Sequence, residues 1–332
     1  MGGKLPLSSR TGRAPRVAGV TASPLVRRHD AWSAEELIAA KRGRGVSVVI
    51  PARDEAASIG AVVAGIRAAW AGTLIDEIVV IDSDSQDDTH AVAVAAGAKV
   101  FRAKDIRPDL GVAQGKGEAL WKSLHVVRGD LLAFVDADLV DWGPHFVSGL
   151  LGPLLTDPDV MLVKAVYDRP MLDADGREAE AGGRVTELVA RPMLALHWPQ
   201  LAALVQPLSG EWAIRRSVLE GFTVPRGYGV EIAAVIDTAA AHGPDAIAQV
   251  DLGRRTHRNR RHDTLGPMAV QVLAAAEARL GLADVSWAPA PVSLVQFDRT
   301  ATGFTPRVTH PDIGERPPAR SVVDYRTEVE SR

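Results

Sequence analysis

Two aspartates separated by one residue, Asp136 and Asp138, follow the apolar run at 131–135. Side chains two positions apart point to the same side of an extended chain, so both carboxylates can reach one hard cation and the phosphates that it carries. The spacing therefore indicates a metal–diphosphate site and a nucleotide-sugar enzyme. A plain acidic loop has the same spacing, so the pair needs support from the elements around it.

Short β-branched runs alternate with helical periodicity from Val46 onwards. The pattern predicts strands at 46–50, 77–81, 99–102 and 131–135, and helices at 54–70, 85–96 and 116–127. Such alternation predicts an α/β fold, a Rossmann-like, mainly parallel sheet with helices on both faces. Ligands of these sheets bind beyond the carboxyl ends of the strands, where the polar loops 51–55, 82–88 and 136–142 would converge.

The first two of these loops can contact a nucleotide. Backbone groups beside Pro51 can meet a base, and the Glu55 carboxylate can accept a base N–H. The same carboxylate favours a helix N-terminus without any ligand. The second loop combines hydroxyls such as Ser83 with several acids. It can hold a ribose or a base edge, or it can cap the next helix, and the residues leave both alternatives open.

Lys116 stands between two glycines at the start of a predicted helix. Glycines let a backbone approach a ligand closely, and a cation at a helix N-terminus is unfavourable unless an anion lies beside it. This conflict favours a diphosphate near Lys116. The stretch is not a Walker motif, because the Gly-x4-Gly-Lys-Ser/Thr spacing is absent.

The second half of the chain contains a possible anion cradle at Gly183, Arg184 and Thr186. Backbone amides, a guanidinium and a hydroxyl meet there at a helix start, and Arg169 can add a second guanidinium. An ordinary helix start with a solvent-exposed arginine is the alternative.

Two further stretches can complete a sugar site. Tyr228 and Glu231 lie in a glycine-containing loop that enters a helix, where they can contact a sugar or simply form a turn and a helix N-terminus. His257 follows a strand predicted at 246–252 and could be a third metal ligand. A lone histidine is more often an ordinary polar residue, so His257 stays open.

The composition narrows the class of protein. The chain has 332 residues, 46% hydrophobic content and a net charge of −3, so it can bury a large core and gives no reason to expect nucleic acid. It has no cysteine, which excludes disulfides and thiolate sites and fits a cytoplasmic protein. Prolines interrupt the longest uncharged stretch, 192–210, so no membrane span is expected.

Four regions are expected along the chain. Residues 1–44 form a flexible basic arm ending in a short helix at 33–42, which Ser33 and Glu36 can cap. Residues 45–150 form the nucleotide-sugar-binding half, and residues 151–285 form the acceptor-binding half. Residues 286–332 form a partly disordered extension that frays from Ala301 onwards.

Several of these motifs together resemble known glycosyltransferases. The stretch 48–55, the loop 82–89 and the Asp-x-Asp are similar to the nucleotide-sugar domain of the GT-A fold. The stretches 115–121, 183–192, 227–232, 245–250 and 257–260 narrow the resemblance to the actinobacterial glucosyl-3-phosphoglycerate synthases, of glycosyltransferase family 81 type. The resemblance covers about Ala31 to about Leu280.

The resemblance implies roles for individual residues. It implies nucleotide-sugar contacts at Pro51, Ala52, Glu55, Ser83, Lys116, Asp136, Ala137, Tyr228 and Glu231. It implies metal binding at Asp136, Asp138 and His257, and 3-phosphoglycerate binding at Gly183, Arg184, Thr186 and Asn259, with Arg169 expected as an additional acceptor contact. We therefore expect Asp136, Asp138 and Glu231 to be the catalytic residues.

The implied activity is that of a retaining hexosyltransferase with Mg2+ or Mn2+ as cofactor. It transfers glucose, with UDP-glucose as the expected donor, to the 2-hydroxyl of 3-phosphoglycerate. The product, glucosyl-3-phosphoglycerate, leads to glucosylglycerate and in mycobacteria to methylglucose lipopolysaccharides. A homodimer is also expected from the resemblance alone.

Four departures from the family pattern touch the surroundings of the base and the donor sugar: Asp54, Asp84, Ala137 and Trp212. The donor is therefore the least secure expectation. A mannosyl-3-phosphoglycerate synthase using GDP-mannose is the main alternative. Another GT-A transferase, a nucleotidyltransferase and a non-catalytic sugar-nucleotide binder are more remote ones.

Overall fold

The structure is a computed structural model, and it describes residues 25–168, 171–172, 178–179, 183–257, 265–281, 292–300 and 303–325. The strands are β1 Val26–Arg28, β2 Val46–Ala52, β3 Glu77–Asp82, β4 Lys99–Arg102, β5 Leu131–Phe134, β6 Leu139–Asp141, β7 Leu162–Asp168, β8 Met171–Leu172, β9 Glu178–Ala179, β10 Trp212–Arg215, β11 Val224–Pro225, β12 Ile247–Arg254, β13 Thr256–His257, β14 Leu294–Thr300, β15 Gly303–Thr309 and β16 Glu315–Arg316. The α-helices are α1 Ala34–Lys41, α2 Ile59–Trp70, α3 Thr89–Ala95, α4 Lys116–Ser123, α5 His145–Thr156, α6 Arg191–His197, α7 Arg216–Leu219, α8 Val230–His242 and α9 Leu265–Arg279, and a π-helical turn, Thr186–Ala190, precedes α6.

Eight strands form one central sheet in the order β1-β12-β7-β10-β5-β2-β3-β4. All neighbours are parallel except β10, which runs antiparallel to both β5 and β7. The predicted α/β sheet is confirmed, and strands from both 45–150 and 151–285 contribute to it. The sequence did not predict β10 or β1, because each is a short run without the alternation that marks a strand.

Helices cover both faces of the sheet, which explains why its strands are continuous apolar runs. On one face, Val49 and Phe134 belong to a core that α4, α8 and α9 complete. On the other face, Val48 and Ile50 pack with α2 and α5. Both faces of β2 are therefore buried, and its carboxyl end is fixed in place.

The two ends of the described chain are more ordered than expected. Ser33 and Glu36 form the predicted capping box on α1, but the stretch assigned to a flexible arm also contributes β1 to the sheet. The expectation that residues beyond Ala301 fray is wrong for 303–325. Tyr325 is 2% exposed there, and Trp121 donates a hydrogen bond to the Pro317 carbonyl at 2.8 Å.

No helix in the described part of the chain has the length and apolar character needed to cross a lipid bilayer.

Candidate active site

Asp136 and Asp138 lie directly beyond β5, and both reach one cation, Arg255. The Arg255 Nη2 atom lies 2.9 Å from Asp136 Oδ2 and 3.4 Å from Asp138 Oδ1. The two carboxylate side chains are 18% and 13% exposed, so the cluster opens to solvent on one side. The strand end thus aims both acids at the same point, as their spacing predicts.

Behind Arg255 lies a buried acid that the sequence did not single out. Glu211 precedes β10, is fully buried, and lies 3.1 Å from Arg255 Nη2. Tyr167, at the end of β7, donates a hydrogen bond to Glu211 at 2.6 Å and accepts one from Arg255 at 3.1 Å. Burial raises the pKa of Glu211, and Arg255 opposes that rise. This network fixes Arg255 against the pair of aspartates.

The antiparallel direction of β10 explains how Glu211 reaches the site. Trp212, the first residue of β10, pairs with Phe134 at the end of β5, so the residue before it lies at the carboxyl edge of the parallel strands. Glu211 is a single acid ahead of a short apolar run, and Arg255 is one of several arginines that follow β12 in a polar stretch. Neither pattern distinguishes a site residue from a structural one.

Lys116 is a second cation of the cluster. Its Nζ lies 2.7 Å from Asp136 Oδ1 and 2.9 Å from Glu231 Oε1. Burial lowers the pKa of Lys116, but Asp136 and Glu231 outweigh burial and hold that pKa above its ordinary value. The anion that the helix N-terminus requires is therefore supplied by the protein itself. Lys116 links Asp136, beyond β5, to Glu231, at the start of α8.

Backbone contacts with the loop before α8 close the N-terminus of α4. The amides of Gly117 and Glu118 donate to the carbonyls of Gly227 and Arg226 at 3.3 and 2.8 Å. A Cβ on Gly117 would lie 1.8 Å from the Pro225 carbonyl oxygen, so only glycine allows this approach. The contact joins Lys116 to the loop that carries Tyr228.

Gly210 makes a comparable close approach inside the cluster. A Cβ at this position would lie 2.3 Å from Asp136 Oδ2 and 2.9 Å from Lys116 Nζ. The missing side chain leaves room for the Asp136 carboxylate to turn towards Arg255. Sequence reasoning did not identify Gly210 as a site residue.

The two predicted nucleotide loops form one rim beside this cluster. Pro51 and Ala52 end β2, and the Ser83 amide donates to the Ala52 carbonyl at 2.9 Å. The Glu55 amide donates to the Thr89 hydroxyl at 2.7 Å, which ties the first loop to α3. These residues lie at the sheet edge where a nucleotide was expected, and their contacts with one remain a prediction.

The other predicted residues are placed less completely. Gly183, Arg184 and Thr186 lie at the start of the π-helical turn, which packs on α9. Gly183 has φ of 84°, the left-handed conformation that glycine accepts readily. Arg169 and Asn259 lie outside the described residues. The acceptor cradle therefore remains a prediction.

Ala137 and His257 flank the two aspartates differently. Ala137 is 3% exposed and packs in the core on the α2 and α5 side, so it offers a ligand its backbone instead of its side chain. The backbone of His257 pairs with Leu139 in the short ladder between β13 and β6. That register sets His257 beside Asp138, while its side chain lies outside what the structure describes.

The donor set suits a hard divalent cation. Mg2+ typically takes one or two carboxylates together with water and substrate phosphate oxygens, so Asp136 and Asp138 suffice as protein ligands. Within the described residues no group of three or more acidic, histidine or cysteine side chains could hold a metal alone. The Asp136 and Asp138 carboxylates both point at one positively charged group, Arg255 Nη2, so they can also converge on a metal ion. The site thus fits a metal that arrives with a diphosphate.

Comparison with known proteins gives one consistent family. The model for glycosyl transferase family 2 matches residues 47–220. The glucosyl-3-phosphoglycerate synthase of Mycolicibacterium smegmatis is 47% identical over 86% of this chain and 93% of its own. The enzyme of that name from Mycobacterium tuberculosis is 48% identical over 80% of this chain and 81% of its own.

Solved structures agree with this family. The Mycobacterium tuberculosis synthase in complex with Mn2+, UDP-glucose and phosphoglyceric acid superposes with a TM-score of 0.79 at 43% identity. The match covers 90% of this chain and 99% of that one. The same enzyme with Mg2+ and UDP also gives a TM-score of 0.79. The GT-A fold expected from the sequence is confirmed, and the chain belongs to the glucosyl-3-phosphoglycerate synthase family of glycosyltransferases.

Proposed function

We propose that this chain transfers glucose from UDP-glucose to the 2-hydroxyl of 3-phosphoglycerate with retention of configuration, releasing UDP. One observation carries the proposal: Asp136 is held between Lys116 and Arg255 at the carboxyl edge of the sheet, beside its partner Asp138. Solved relatives hold Mn2+, UDP-glucose and phosphoglyceric acid together. The metal, the diphosphate and the acidic acceptor in those complexes are ligands that a cluster of paired carboxylates, lysine and arginine can bind.

Each described residue has a role that follows from its contacts. Lys116 and Arg255 supply positive charge to a departing nucleoside diphosphate, because Arg255 is buried and Lys116 largely buried at the edge of the cluster. Glu231 is 4% exposed and held by Lys116, so it can orient the donor sugar by accepting hydrogen bonds from its hydroxyls. A divalent cation held by Asp136 and Asp138, with His257 as the expected third ligand, supplies Lewis-acid charge when bound.

Retention is proposed to follow from attack on the face that UDP leaves. A diphosphate oxygen then accepts the proton of the acceptor hydroxyl, so no protein nucleophile is required. Glu231 is committed to Lys116 at 2.9 Å, which suits positioning. We expect intact-protein mass spectrometry to detect no glycosyl adduct during turnover. An adduct on Glu231 that disappears in Glu231→Gln would overturn this mechanism.

The reaction is tested by product analysis with one acceptor and three donors. The protein is mixed with 3-phosphoglycerate, Mg2+ and either UDP-glucose, GDP-glucose or GDP-mannose. We expect UDP and a phosphorylated glucosylglycerate from UDP-glucose as the preferred pair. A preference for GDP-mannose would identify the mannosyl alternative. Release of pyrophosphate would identify a nucleotidyltransferase, and an intact donor under all conditions would identify a binder.

A homodimer is proposed from the hairpin of β14 and β15. Its outer face is apolar, with Val295 paired to Val308 and Phe297 paired to Pro306. Phe297 is 65% exposed, whereas Leu294 and Gln296, on the other face, lie against Gly266 of α9. The hairpin is a two-stranded sheet that packs on α9 through one face and exposes the other, apolar face, so a second copy that covers the exposed face would stabilise it.

The dimer is tested by light scattering of the purified protein. Phe297→Asp is expected to convert a dimer into a monomer, because the charge would be buried at the interface. Thr305→Asp, a substitution on the opposite face of the hairpin, is the matched control and should leave the mass unchanged. A wild-type monomer at micromolar concentration would contradict the proposal.

We also propose that the reaction takes place in the cytoplasm. Both proposed substrates are anions that do not cross a lipid bilayer unaided, and the chain has no cysteine that would require an oxidising compartment.

A further inference from the structure

We propose that a second cavity, on the edge of the sheet opposite the active site, binds a small phosphate monoester. The cavity has a volume of about 570 Å³ and lies where β2 and β7 begin and β10 ends. Ligand pockets typically have volumes of about 300–1,000 Å³. Three arginines line it, Arg44, Arg215 and Arg320, together with His242 and Ser217.

The charged side chains that line this cavity are all positive. Its lining contains no aspartate or glutamate. Among the described residues, none of the three arginines forms an ion pair, whereas Arg279 and Arg316, elsewhere in the structure, each bind a carboxylate at 2.8 Å or less. Asp157 interacts with Arg215 through space, and it also accepts a hydrogen bond from the Asp159 amide.

Two of the guanidinium groups are fixed in place by backbone carbonyls. Arg44 donates to the carbonyl of Ala40 at 2.5 Å and to that of Leu155 at 2.8 Å, at the ends of α1 and α5. Arg215 donates to the carbonyls of Val160 and Leu154 at 2.8 and 3.0 Å. These bonds hold both charges in position before any ligand arrives.

The helix ends offset only part of this charge. Each helix C-terminus carries about half a negative charge, so the ends of α1 and α5 offset roughly one of the two fixed guanidinium charges. Arg320 adds another cation, whose guanidinium lies within 3.0 Å of a Cβ built on Gly221. Burial lowers the pKa of Arg215, and the like charge of Arg44 lowers that pKa further. An anion in the cavity would relieve the repulsion between these like charges.

Arginine favours a phosphate as the occupant. The planar Arg320 guanidinium can donate two parallel hydrogen bonds to phosphate oxygens. Arg44 and Arg215 give most of their N–H groups to backbone carbonyls, so they contribute mainly positive charge, which suits a doubly charged anion. The Ser217 hydroxyl and the His242 ring can donate to the same group. The cavity is large enough for a phosphate with a small organic substituent.

Arg320→Gln tests the site without disturbing the carbonyl contacts of Arg44 and Arg215. Glycerol 2-phosphate is titrated into the full-length protein by calorimetry at constant ionic strength, with saturating UDP-glucose and Mg2+ present throughout. We expect Arg320→Gln to weaken binding about tenfold and Arg320→Glu to abolish it. Arg128→Gln, at an exposed arginine outside the cavity, should bind like the wild type.

Two outcomes would overturn the proposal. Equal affinity in the wild type and both Arg320 variants would place the bound phosphate elsewhere, including at the active site. Binding to phosphatidylcholine vesicles that contain phosphatidate, lost in Arg320→Gln while glycerol 2-phosphate does not bind, would assign the arginines to a lipid surface. Crystals soaked in tungstate should show its anomalous signal between Arg215 and Arg320.

Discussion

Replacing Gly210 by alanine should damage the active site without damaging the fold. The new Cβ would lie 2.3 Å from Asp136 Oδ2, whereas ordinary contacts of this kind begin at 3.4 Å. The carboxylate must therefore move by about 1 Å, and a displacement of this size at a reacting centre can cost about 100-fold in rate. That factor corresponds to about 2.7 kcal/mol of lost transition-state stabilisation. The assay is kcat/KM for UDP-glucose at saturating 3-phosphoglycerate and Mg2+.

A control separates the carboxylate displacement from a general effect of alanine. Gly72→Ala meets no atom within 4 Å, but its φ of 75° makes alanine strained. It should lose roughly 1 kcal/mol of stability and keep its kcat/KM. Gly210→Ala should instead keep most of its stability in urea denaturation. A Gly210→Ala enzyme with wild-type kcat/KM would refute the close contact as a functional constraint.

The remaining predictions concern buried charges. Arg255→Met leaves Glu211 buried without its cation and should lower the free energy of unfolding in urea by about 3 kcal/mol; unchanged stability would contradict the buried network. Burial raises the pKa of Glu77, but hydrogen bonds from Lys99 and Ser47 outweigh burial and lower it overall. A lowered carboxyl pKa stabilises the fold above its unfolded value of about 4.3 and ceases to do so as pH falls through the folded value. Glu77→Gln should therefore cost about 2 kcal/mol at pH 7 and progressively less below pH of about 4, and a constant difference from pH 7 to pH 3 would contradict this.

The fold was largely predictable because its signals are local. Continuous apolar strands such as β2 and a capping box such as that of Ser33 are visible in a few neighbouring residues. β10 was not predicted because its four residues form a strand only by pairing with β5 and β7, which are distant in the sequence. Long-range pairing of this kind leaves no periodic signal.

The candidate site also contains residues that were predictable from the sequence and residues that were not. Asp136 and Asp138 were predicted because their spacing alone sets their common direction. Glu211 and Arg255 were missed because their importance arises from contact across the sheet, 3.1 Å apart. Gly210 was missed because a glycine that makes room for a distant carboxylate has the same sequence signal as any loop glycine. Local sequence patterns therefore identify acids that share one strand end, such as Asp136 and Asp138. The residues that hold these acids in place become visible only in the folded structure.

The most direct test of the account is the rate of UDP release from UDP-glucose in the presence of 3-phosphoglycerate and Mg2+. The measurement compares the wild type with Asp136→Asn and Asp138→Asn, each shown to be folded by circular dichroism. If the paired acids hold the metal for the leaving diphosphate, each variant should lose at least about 100-fold in rate, and a chelator should stop the wild type. Turnover within a few-fold of the wild type in both variants would contradict the central claim.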